Sequence, residues 1–260
     1  MRNKSKLKII ITIFGIIFAF LTISNLNLVD NSFNNDGTAE NQDESHSRNP
    51  KISGYWTTNF IHVDGNWSDT ATVYDWCSGD GSWGNPYTIE NVIIDASSSP
   101  TGSGILINNS KNEYFIIRNC TVYNAFAGIW LENTDNGTLT LNNCTSNSRG
   151  IRLRNNCKNN IIANNMADGN SLVGIILEFN CDNNNISGNS ANGPIQIRGI
   201  RLRDYCDNNI ISGNSVNDND LYGIYLNYYC DDNTISGNTA NGNNRGIFLT
   251  DRCDGNTISG

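Results

Sequence analysis

Residues 223–238 read GIYLNYYCDDNTISGN, and similar stretches recur along the chain. Each copy begins with a Gly-Ile pair, the pairs follow one another at steps of 22 to 25 residues, and an apolar residue stands two positions after each Ile. This spacing puts both apolar residues on one face of a short strand. Because a unit of about 24 residues cannot enclose a core alone, stacked units are expected. The pairs begin at Gly104, Gly128, Gly150, Gly174, Gly199, Gly223 and Gly246.

The predicted architecture is all-β, a right-handed single-stranded parallel β-helix with about 24 residues per coil. A leucine-rich repeat has an overlapping period, but it requires several Leu at fixed offsets and a helical return segment. Here Ile dominates and the return segments are rich in Asn, Gly and Ser. A column of amides at one repeat position predicts a hydrogen-bonded ladder along the axis. Its members are Asn165, Asn189, Asn214 and Asn238.

The chain divides into four predicted segments. Basic residues followed by an apolar run at 9–23 predict a signal peptide or an N-terminal membrane anchor over 1–30, although the run is short for a spanning helix. The polar stretch 31–52 predicts a disordered linker. Aromatic residues outside the repeat predict an N-terminal cap over 53–87, and repeats occupy 88–260. The last unit is incomplete, which indicates either a fragment or an end covered by a partner on an otherwise monomeric solenoid.

The composition argues against nucleic acid as a partner. The formal net charge is −8, and only 16% of the residues are charged. Such a surface repels a phosphate backbone rather than attracting it.

Five cysteines share one repeat position, and strand parity predicts that they form an interior column. Cys behaves there as a small buried hydrophobe. Neighbouring coils also bring the Cα atoms within disulfide range, so disulfides between coils and soft-metal binding remain alternatives. The column consists of Cys157, Cys181, Cys206, Cys230 and Cys253.

An acidic column follows the cysteines by one position. Stacked carboxylates repel one another unless water solvates them or a cation bridges them. They are interpreted as solvated turn residues, with calcium as the one cofactor to consider. The candidate ligands are Asp182, Asp207, Asp231 and Asp254.

A third column lies on the outward face, between the Ile and the Leu of each unit. Aromatic rings stack on sugar rings, and Arg pairs with uronic carboxylates, so this stripe predicts a ligand-binding face. The alternative is a covered or merely β-favourable face. The candidate binding residues are Trp130, Arg152, Arg201, Tyr225 and Phe248. The next outward column alternates in sign and predicts cross-strand pairing, through Glu132, Arg154, Glu178 and Arg203.

The repeat units resemble the parallel β-helix repeats of NosD-type proteins, and residues 79–95, GDGSWGNPYTIENVIID, resemble the opening of many archaeal surface proteins of this kind. The resemblance covers about residues 55–260. It implies a pectin-lyase-like solenoid that is exported, from a broad group linked to carbohydrate binding or hydrolysis. NosD itself is associated with copper delivery. This chain has only two Met and two His, and the repeats contain no His, so a copper-handling role is not expected.

The resulting prediction is an extracellular or cell-surface β-helix protein that binds carbohydrate or another surface polymer without catalysis. The alternatives are a polysaccharide lyase or glycoside hydrolase, and a structural spacer or adhesin. An enzyme of this fold should break the repeat with a cluster of Asp, Arg, Lys or His, and residues 104–260 show none, so no catalytic residue is assigned. Contact with a membrane is expected only through the N-terminal segment.

Overall fold

In the computed structural model, the described residues are 54–260, and they form a parallel β-solenoid whose strands fall into three sheets. The predicted anchor at 9–23 and the predicted linker at 31–52 lie outside the described residues. Within residues 54–260, no helix is both long and apolar enough to cross a membrane.

Sheet 1 contains eight strands, most of them six residues long, paired in the order β19-β17-β15-β13-β11-β9-β6-β2. These strands are β2 Ile61–Asp64, β6 Ser103–Asn108, β9 Ala127–Glu132, β11 Arg149–Arg154, β13 Val173–Glu178, β15 Arg198–Arg203, β17 Tyr222–Asn227 and β19 Arg245–Thr250.

Sheet 2 contains nine shorter strands in the order β20-β18-β16-β14-β12-β10-β7-β4-β3, and its β3–β4 pair is antiparallel. These strands are β3 Cys77–Ser78, β4 Tyr87–Glu90, β7 Phe115–Arg118, β10 Gly137–Thr140, β12 Ile161–Ala163, β14 Asn185–Ser187, β16 Ile210–Ser212, β18 Thr234–Ser236 and β20 Thr257–Ser259.

Sheet 3 begins with three strands and continues as single parallel bridges, one per coil, from Thr121 through Asn143 to Thr239. Its strands are β1 Trp56–Thr58, β5 Val92–Asp95 and β8 Thr121–Tyr123. Two short helices complete the described residues, α1 Trp67–Val73 and a 3₁₀ helix, Ala96–Ser98.

The register of sheet 1 confirms the predicted repeat. Ile151 pairs with Ile129 and Ile175, and Leu153 pairs with Leu131 and Leu177, so identical residues stack along the axis. The Gly before the Ile is required by a close approach of neighbouring coils in β9, β11, β13, β15 and β17. A Cβ on Gly150 would lie 2.6 Å from the carbonyl oxygen of Gly174, nearer than any real Cβ contact.

Stacked amides line the solenoid in three columns, one of which the sequence predicted. Asn165 donates its backbone N–H and its Nδ2 to Oδ1 of Asn189, at 2.9 and 3.0 Å, and its Nδ2 also reaches the Leu139 carbonyl oxygen at 2.9 Å. The amides therefore satisfy backbone groups that the turns leave unpaired. The columns are Asn142, Asn165, Asn189, Asn214, Asn238; Asn160, Asn184, Asn209, Asn233, Asn256; and Asn147, Asn170, Gln196, Asn219, Asn243.

The aromatic segment before the repeats is attached to the first coils through Trp67 of α1. Its ring stacks on Tyr87 at a centroid distance of 5.2 Å and lies 5.0 Å from Phe115, and its indole N–H donates to Ser110 Oγ at 2.8 Å. Solenoid ends need such cover because they expose strand edges and apolar columns. We propose on this basis that residues 53–87 form the N-terminal cap.

The amide columns should contribute measurably to the free energy of unfolding. Replacing Asn189 by Ala removes the acceptor for two donors of Asn165 inside the protein, so we expect the free energy of unfolding in urea to fall by about 2–3 kcal/mol. Asn112→Ala is the matched control. The side chain of Asn112 is exposed and makes no hydrogen bond to a described residue, so its loss should change stability by less than about 0.5 kcal/mol. Equal effects of the two substitutions would contradict a stabilising amide column.

Candidate functional site

The outward face of sheet 1 concentrates positive charge on an otherwise acidic molecule. Residues 54–260 contain 11 Lys and Arg against 20 Asp and Glu, yet seven of those 11 basic residues lie on three strands of this sheet. Two of the strands, β11 and β15, have the same sequence, RGIRLR, and they flank β13, which reads VGIILE. The seven are Arg149, Arg152, Arg154, Arg198, Arg201, Arg203 and Arg245.

The register sets the spacing of these arginines. Strand β13 lies between the two arginine-rich strands. It pairs on one side with Arg149, Arg152 and Arg154 of β11, and on the other side with Arg198, Arg201 and Arg203 of β15. Equivalent arginines are therefore two strand spacings apart, or roughly 9.6 Å. Arg245 lies two further strands along the same column as Arg198.

Aromatic rings accompany the arginines, and the structure brings the five predicted stripe residues together in two groups. The Arg152 guanidinium lies 4.3 Å from the ring centroid of Trp130. Two strands further along, the Arg201 guanidinium lies 5.3 Å from the Tyr225 ring, which stacks on Phe248 at 5.7 Å. Such contacts hold the guanidinium groups against apolar surface.

One carboxylate stands between the two groups. Glu178 is only 1% exposed, and its Oε2 accepts a hydrogen bond from Arg152 Nη2 at 2.8 Å. Arg203 lies 3.6 Å and Arg154 3.9 Å from the same oxygen, which confirms the cross-strand pairing expected of Glu178. Glu132 accepts hydrogen bonds from Trp130 and Asn155 instead. Arg152 is therefore buried and paired rather than open to solvent as the stripe prediction required.

The positive charge of this face exceeds what its own carboxylates neutralise. Nε and Nη1 of Arg149 and Nε of Arg198 are buried without a hydrogen-bond partner among the described residues. Burial, together with the charge of Arg152, lowers the pKa of Arg149 below its usual value, and burial also lowers the pKa of Arg201. Since Arg stays protonated in proteins, an anion placed here would relieve the mutual repulsion of the guanidinium groups.

Aromatic residues also occupy turn positions next to this face at a conformational cost. The turn after each of the last five strands of sheet 1, β11 to β19, uses two residues with positive φ, which are Asn155 and Asn156 in one coil and Tyr228 and Tyr229 in another. A left-handed conformation costs a non-Gly residue about 1–2 kcal/mol, and Asn tolerates it best. Tyr229 also stacks on Tyr205 at 5.0 Å. Aromatic residues at positions where Asn would be less strained are typical of binding surfaces.

Sequence reasoning missed Arg149, Arg198 and Arg245, although the repeated RGIRLR was visible. By strict alternation Arg149 should point inward with Ile151. The structure breaks the alternation at Gly150, which pairs with no residue in the register and whose Cβ would point toward the Ala167 and Asn170 side chains. Arg149 therefore faces outward, 4.3 Å from the Phe126 ring.

The acidic column has a structural role in the turns. Oδ1 of Asp182 accepts the backbone N–H of Asp207 at 3.1 Å, Oδ1 of Asp207 accepts that of Asp231 at 2.8 Å, and Oδ1 of Asp231 accepts that of Asp254 at 2.7 Å. Lys158 adds an ion pair to Asp182 at 2.9 Å. Within residues 54–260, no group of three or more His, Cys, Asp or Glu is arranged to hold a metal. Calcium binding by this column stays a hypothesis.

The cysteine column lies in the interior and carries free thiols. Cys157, Cys181, Cys206 and Cys230 are buried, whereas Cys253 is partly exposed. Each thiol lies in the turn and donates to the carbonyl oxygen three residues earlier, as Cys206 does to Arg203 at 3.2 Å. Burial raises the pKa of Cys157 and Cys206 well above the usual value for a thiol.

Comparison with known proteins identifies a family. The family model described as "Periplasmic copper-binding protein (NosD)" matches residues 54–173 and 81–260. No curated protein matches the chain. Among solved structures, a double mutant of the periplasmic alginate epimerase AlgG aligns at 16% identity with a TM-score of 0.50, covering 66% of this chain and 50% of that one.

Two further solved structures align with TM-scores below 0.5. A single mutant of AlgG aligns at 23% identity over 66% of this chain and 42% of its own, with a TM-score of 0.49. The A-module of the mannuronan C-5 epimerase AlgE4 of Azotobacter vinelandii aligns at 13% identity over 82% of this chain and 71% of its own, with a TM-score of 0.40. This chain therefore spans half of AlgG or less, and the likeness concerns the β-helix fold.

The family description names copper binding, but the described residues do not form a copper site. Copper takes accessible Cys, Met or His ligands in a cluster. Here four of the five column thiols are buried, all five donate to carbonyl groups, and His62 belongs to no metal-binding cluster of His, Cys, Asp or Glu among residues 54–260. No step in the function of this protein is therefore assigned to copper.

The buried carboxylate should support the stability of the arginine face. Replacing Glu178 by Ala leaves Arg152 buried without its partner, so we expect the free energy of unfolding to fall by about 3 kcal/mol. Glu90→Ala breaks the exposed pair with Arg118, which has a similar length of 2.7 Å, and should cost less than about 1 kcal/mol. Urea denaturation of both variants tests the difference, and a Glu178→Ala protein as stable as Glu90→Ala would refute it.

The thiols should react slowly in the native protein, because the thiolate is the nucleophile. Burial raises the pKa of Cys120 to about 12 and that of Cys253 to about 11. At pH 8 both stay protonated, so alkylation by iodoacetamide should accelerate as the pH rises and should begin at the partly exposed Cys253. Peptide mass spectrometry in the native state and in urea measures this order, and fast native labelling at Cys206 would contradict it.

Proposed function

This chain belongs to the NosD family of β-helix proteins, and on that premise we propose that it is exported and binds an acidic polysaccharide along the outward face of sheet 1. The family description, a periplasmic protein, supports export. Extracellular or cell-surface placement, with or without an anchor at 9–23, is part of the same proposal.

The arginine–aromatic face is the observation that carries the proposal. A guanidinium donates two parallel hydrogen bonds to a carboxylate, which suits the uronic acid group of a sugar. The partly exposed rings of Trp130, Tyr225 and Phe248 supply apolar surface beside the arginines for sugar C–H groups. Because the columns follow the solenoid axis, a polymer lying along the axis would meet Arg149, Arg198 and Arg245 in turn.

Binding without turnover agrees with the chemistry available on this face. A lyase or hydrolase needs a group that is free to move a proton near the scissile bond. The buried carboxylate here, Glu178, is occupied by Arg152, and its hydrogen bond has a short, charge-assisted geometry. His62, the His of the described residues, lies on β2, four strands away from β13 in sheet 1. The face is therefore equipped to hold an anion rather than to cleave a sugar.

The test is the binding of the full-length protein to polygalacturonate and polymannuronate, with cellohexaose as an uncharged probe. Binding should weaken steeply with added salt, since it depends on exchanging counterions for arginines. Replacing Arg198 and Arg201 together by Gln should weaken it by about 2–4 kcal/mol, the value of two charged hydrogen-bonding groups. Arg118→Gln is the control, because Arg118 is an exposed arginine on sheet 2.

Each other outcome has a definite meaning. A folded protein that binds neither polyuronate refutes the proposal and favours a structural spacer or adhesin. An equal loss of binding in the Arg118 control means that net charge, rather than this face, governs attraction. Release of reducing ends or unsaturated uronates by the wild-type protein establishes a lyase or hydrolase.

A further inference from the structure

A second surface lies on sheet 2, where an exposed tryptophan forms one wall of a cavity. Trp83 is 81% exposed, more than the other large apolar side chains of residues 54–260. The Tyr114 ring meets it edge-on, at a centroid distance of 5.2 Å and an interplanar angle of 80°. Trp83 shares this exposed apolar surface with Tyr114 and Ile161, and a contiguous apolar patch of this kind marks a candidate binding site.

The loop that carries Trp83 is held in place by its own hydrogen bonds. The backbone N–H groups of Asp80 and Gly81 donate to the Asn85 carbonyl oxygen at 3.0 and 3.1 Å, and Tyr114 N donates to the Gly81 carbonyl oxygen at 2.9 Å. Gly81 has a φ of +80°, and a Cβ there would lie 2.5 Å from the Tyr87 ring. The indole is therefore presented by a loop that is already ordered, which lowers the entropic cost of binding.

The cavity beside Trp83 has the volume and the polar groups of a small ligand site. It has a volume of about 340 Å³ beside strands β7, β10 and β12, within the range of roughly 300–1,000 Å³ that ligand pockets occupy. Trp83 and Tyr114 supply apolar surface, and Ile161, which is 43% exposed, lies among its other lining residues. Thr138 Oγ1 and the Asn159 amide make no hydrogen bond to described residues, so both are available to a ligand.

The charge of the lining sets the class of ligand. No Asp, Glu, Lys, Arg or His is among the lining residues. The nearby charged groups are engaged elsewhere, since Lys111 pairs with Asp135 at 3.0 Å and Glu113 accepts a hydrogen bond from Ser110 at 3.2 Å. A ligand with apolar C–H faces and hydroxyl edges fits aromatic walls with amide and hydroxyl groups at their margin.

We propose that this cavity, between Trp83 and Asn159, binds one uncharged pyranose residue of a neutral glycan. The site is independent of the arginine face, because it lies on sheet 2 and offers no charge. Its apolar wall takes one face of the ring, and Thr138 and Asn159 take hydroxyl groups at the opposite edge. A protein with both sites would hold an acidic polymer on one sheet and a neutral glycan on another.

Calorimetric titration of the full-length protein with cellohexaose and mannohexaose tests the proposal. Trp83→Ala should weaken binding about tenfold, the loss of one ring stacked on a sugar. Trp83→Phe should restore part of it, and Thr138→Val should weaken binding without altering the apolar wall. The Arg198→Gln, Arg201→Gln double variant should bind both neutral hexasaccharides as the wild type does.

The outcomes separate this site from the arginine face. Binding of a neutral hexasaccharide that depends on Trp83 but not on Arg198 and Arg201 supports the second site, whatever the polyuronate result. Equal affinity in the wild type and Trp83→Ala overturns it, as does the absence of any binding of either neutral hexasaccharide. Because Trp83 is exposed, Trp83→Ala should unfold at the wild-type temperature, and a thermal melt verifies that a loss of affinity is not a loss of fold.

Discussion

The structure depends on the hydrogen bonding of each coil to the coils on either side at a single strand spacing. Parallel strands pair only if equivalent residues stay in register, so any residue type that repeats becomes a column along the axis. The amides of Asn165 and Asn189 extend this pairing into the turns, where no strand exists to supply partners. The Gly before the Ile allows the same close spacing of coils, since Gly150 leaves room for the Gly174 carbonyl group of the next coil.

The same stacking makes a charged face energetically unfavourable unless opposite charges compensate the repulsion. Like charges on neighbouring strands would lie one strand spacing apart, and the chain avoids this by separating its two RGIRLR strands with VGIILE. Glu178 then neutralises part of the charge from both sides. What is left over, at Arg149 and Arg198, is unsatisfied hydrogen-bonding capacity in an acidic protein. Arg149 and Arg198 have no acidic partner among residues 54–260, and the proposed anionic ligand would supply one.

The fold and the proposed sites use different parts of the repeat. Inward residues such as Ile151 and Leu153 are nearly invariant between coils, because each must match its neighbours. Outward residues and the loop before β4 vary, and these carry Arg201, Tyr225 and Trp83. A solenoid can therefore present different chemistry on each sheet without disturbing its core. Fold and function remain separable here, so membership in a family described as copper-binding does not by itself place copper on this chain.

The sequence by itself determined the parallel β-helix, its repeat length, the inward Ile and Leu columns and the first amide column, because period-two patterning repeats at a fixed interval and the Asn- and Gly-rich return segments do not suit a helical repeat. It also identified Trp130, Arg201 and Tyr225 as outward residues. Only the tertiary structure placed Arg149 and Arg198 on the same face, since the break at Gly150 reverses the alternation that sequence reasoning assumes. The cavity beside Trp83 likewise emerges only when the loop before β4 folds back onto residues of later coils, as far along the chain as Asn159 and Ile161. Contacts between residues distant in sequence leave no local pattern. For that physical reason the sequence predicted the fold and the outward stripe from Trp130 to Phe248, but not the flanking Arg149 and Arg198 or the cavity beside Trp83.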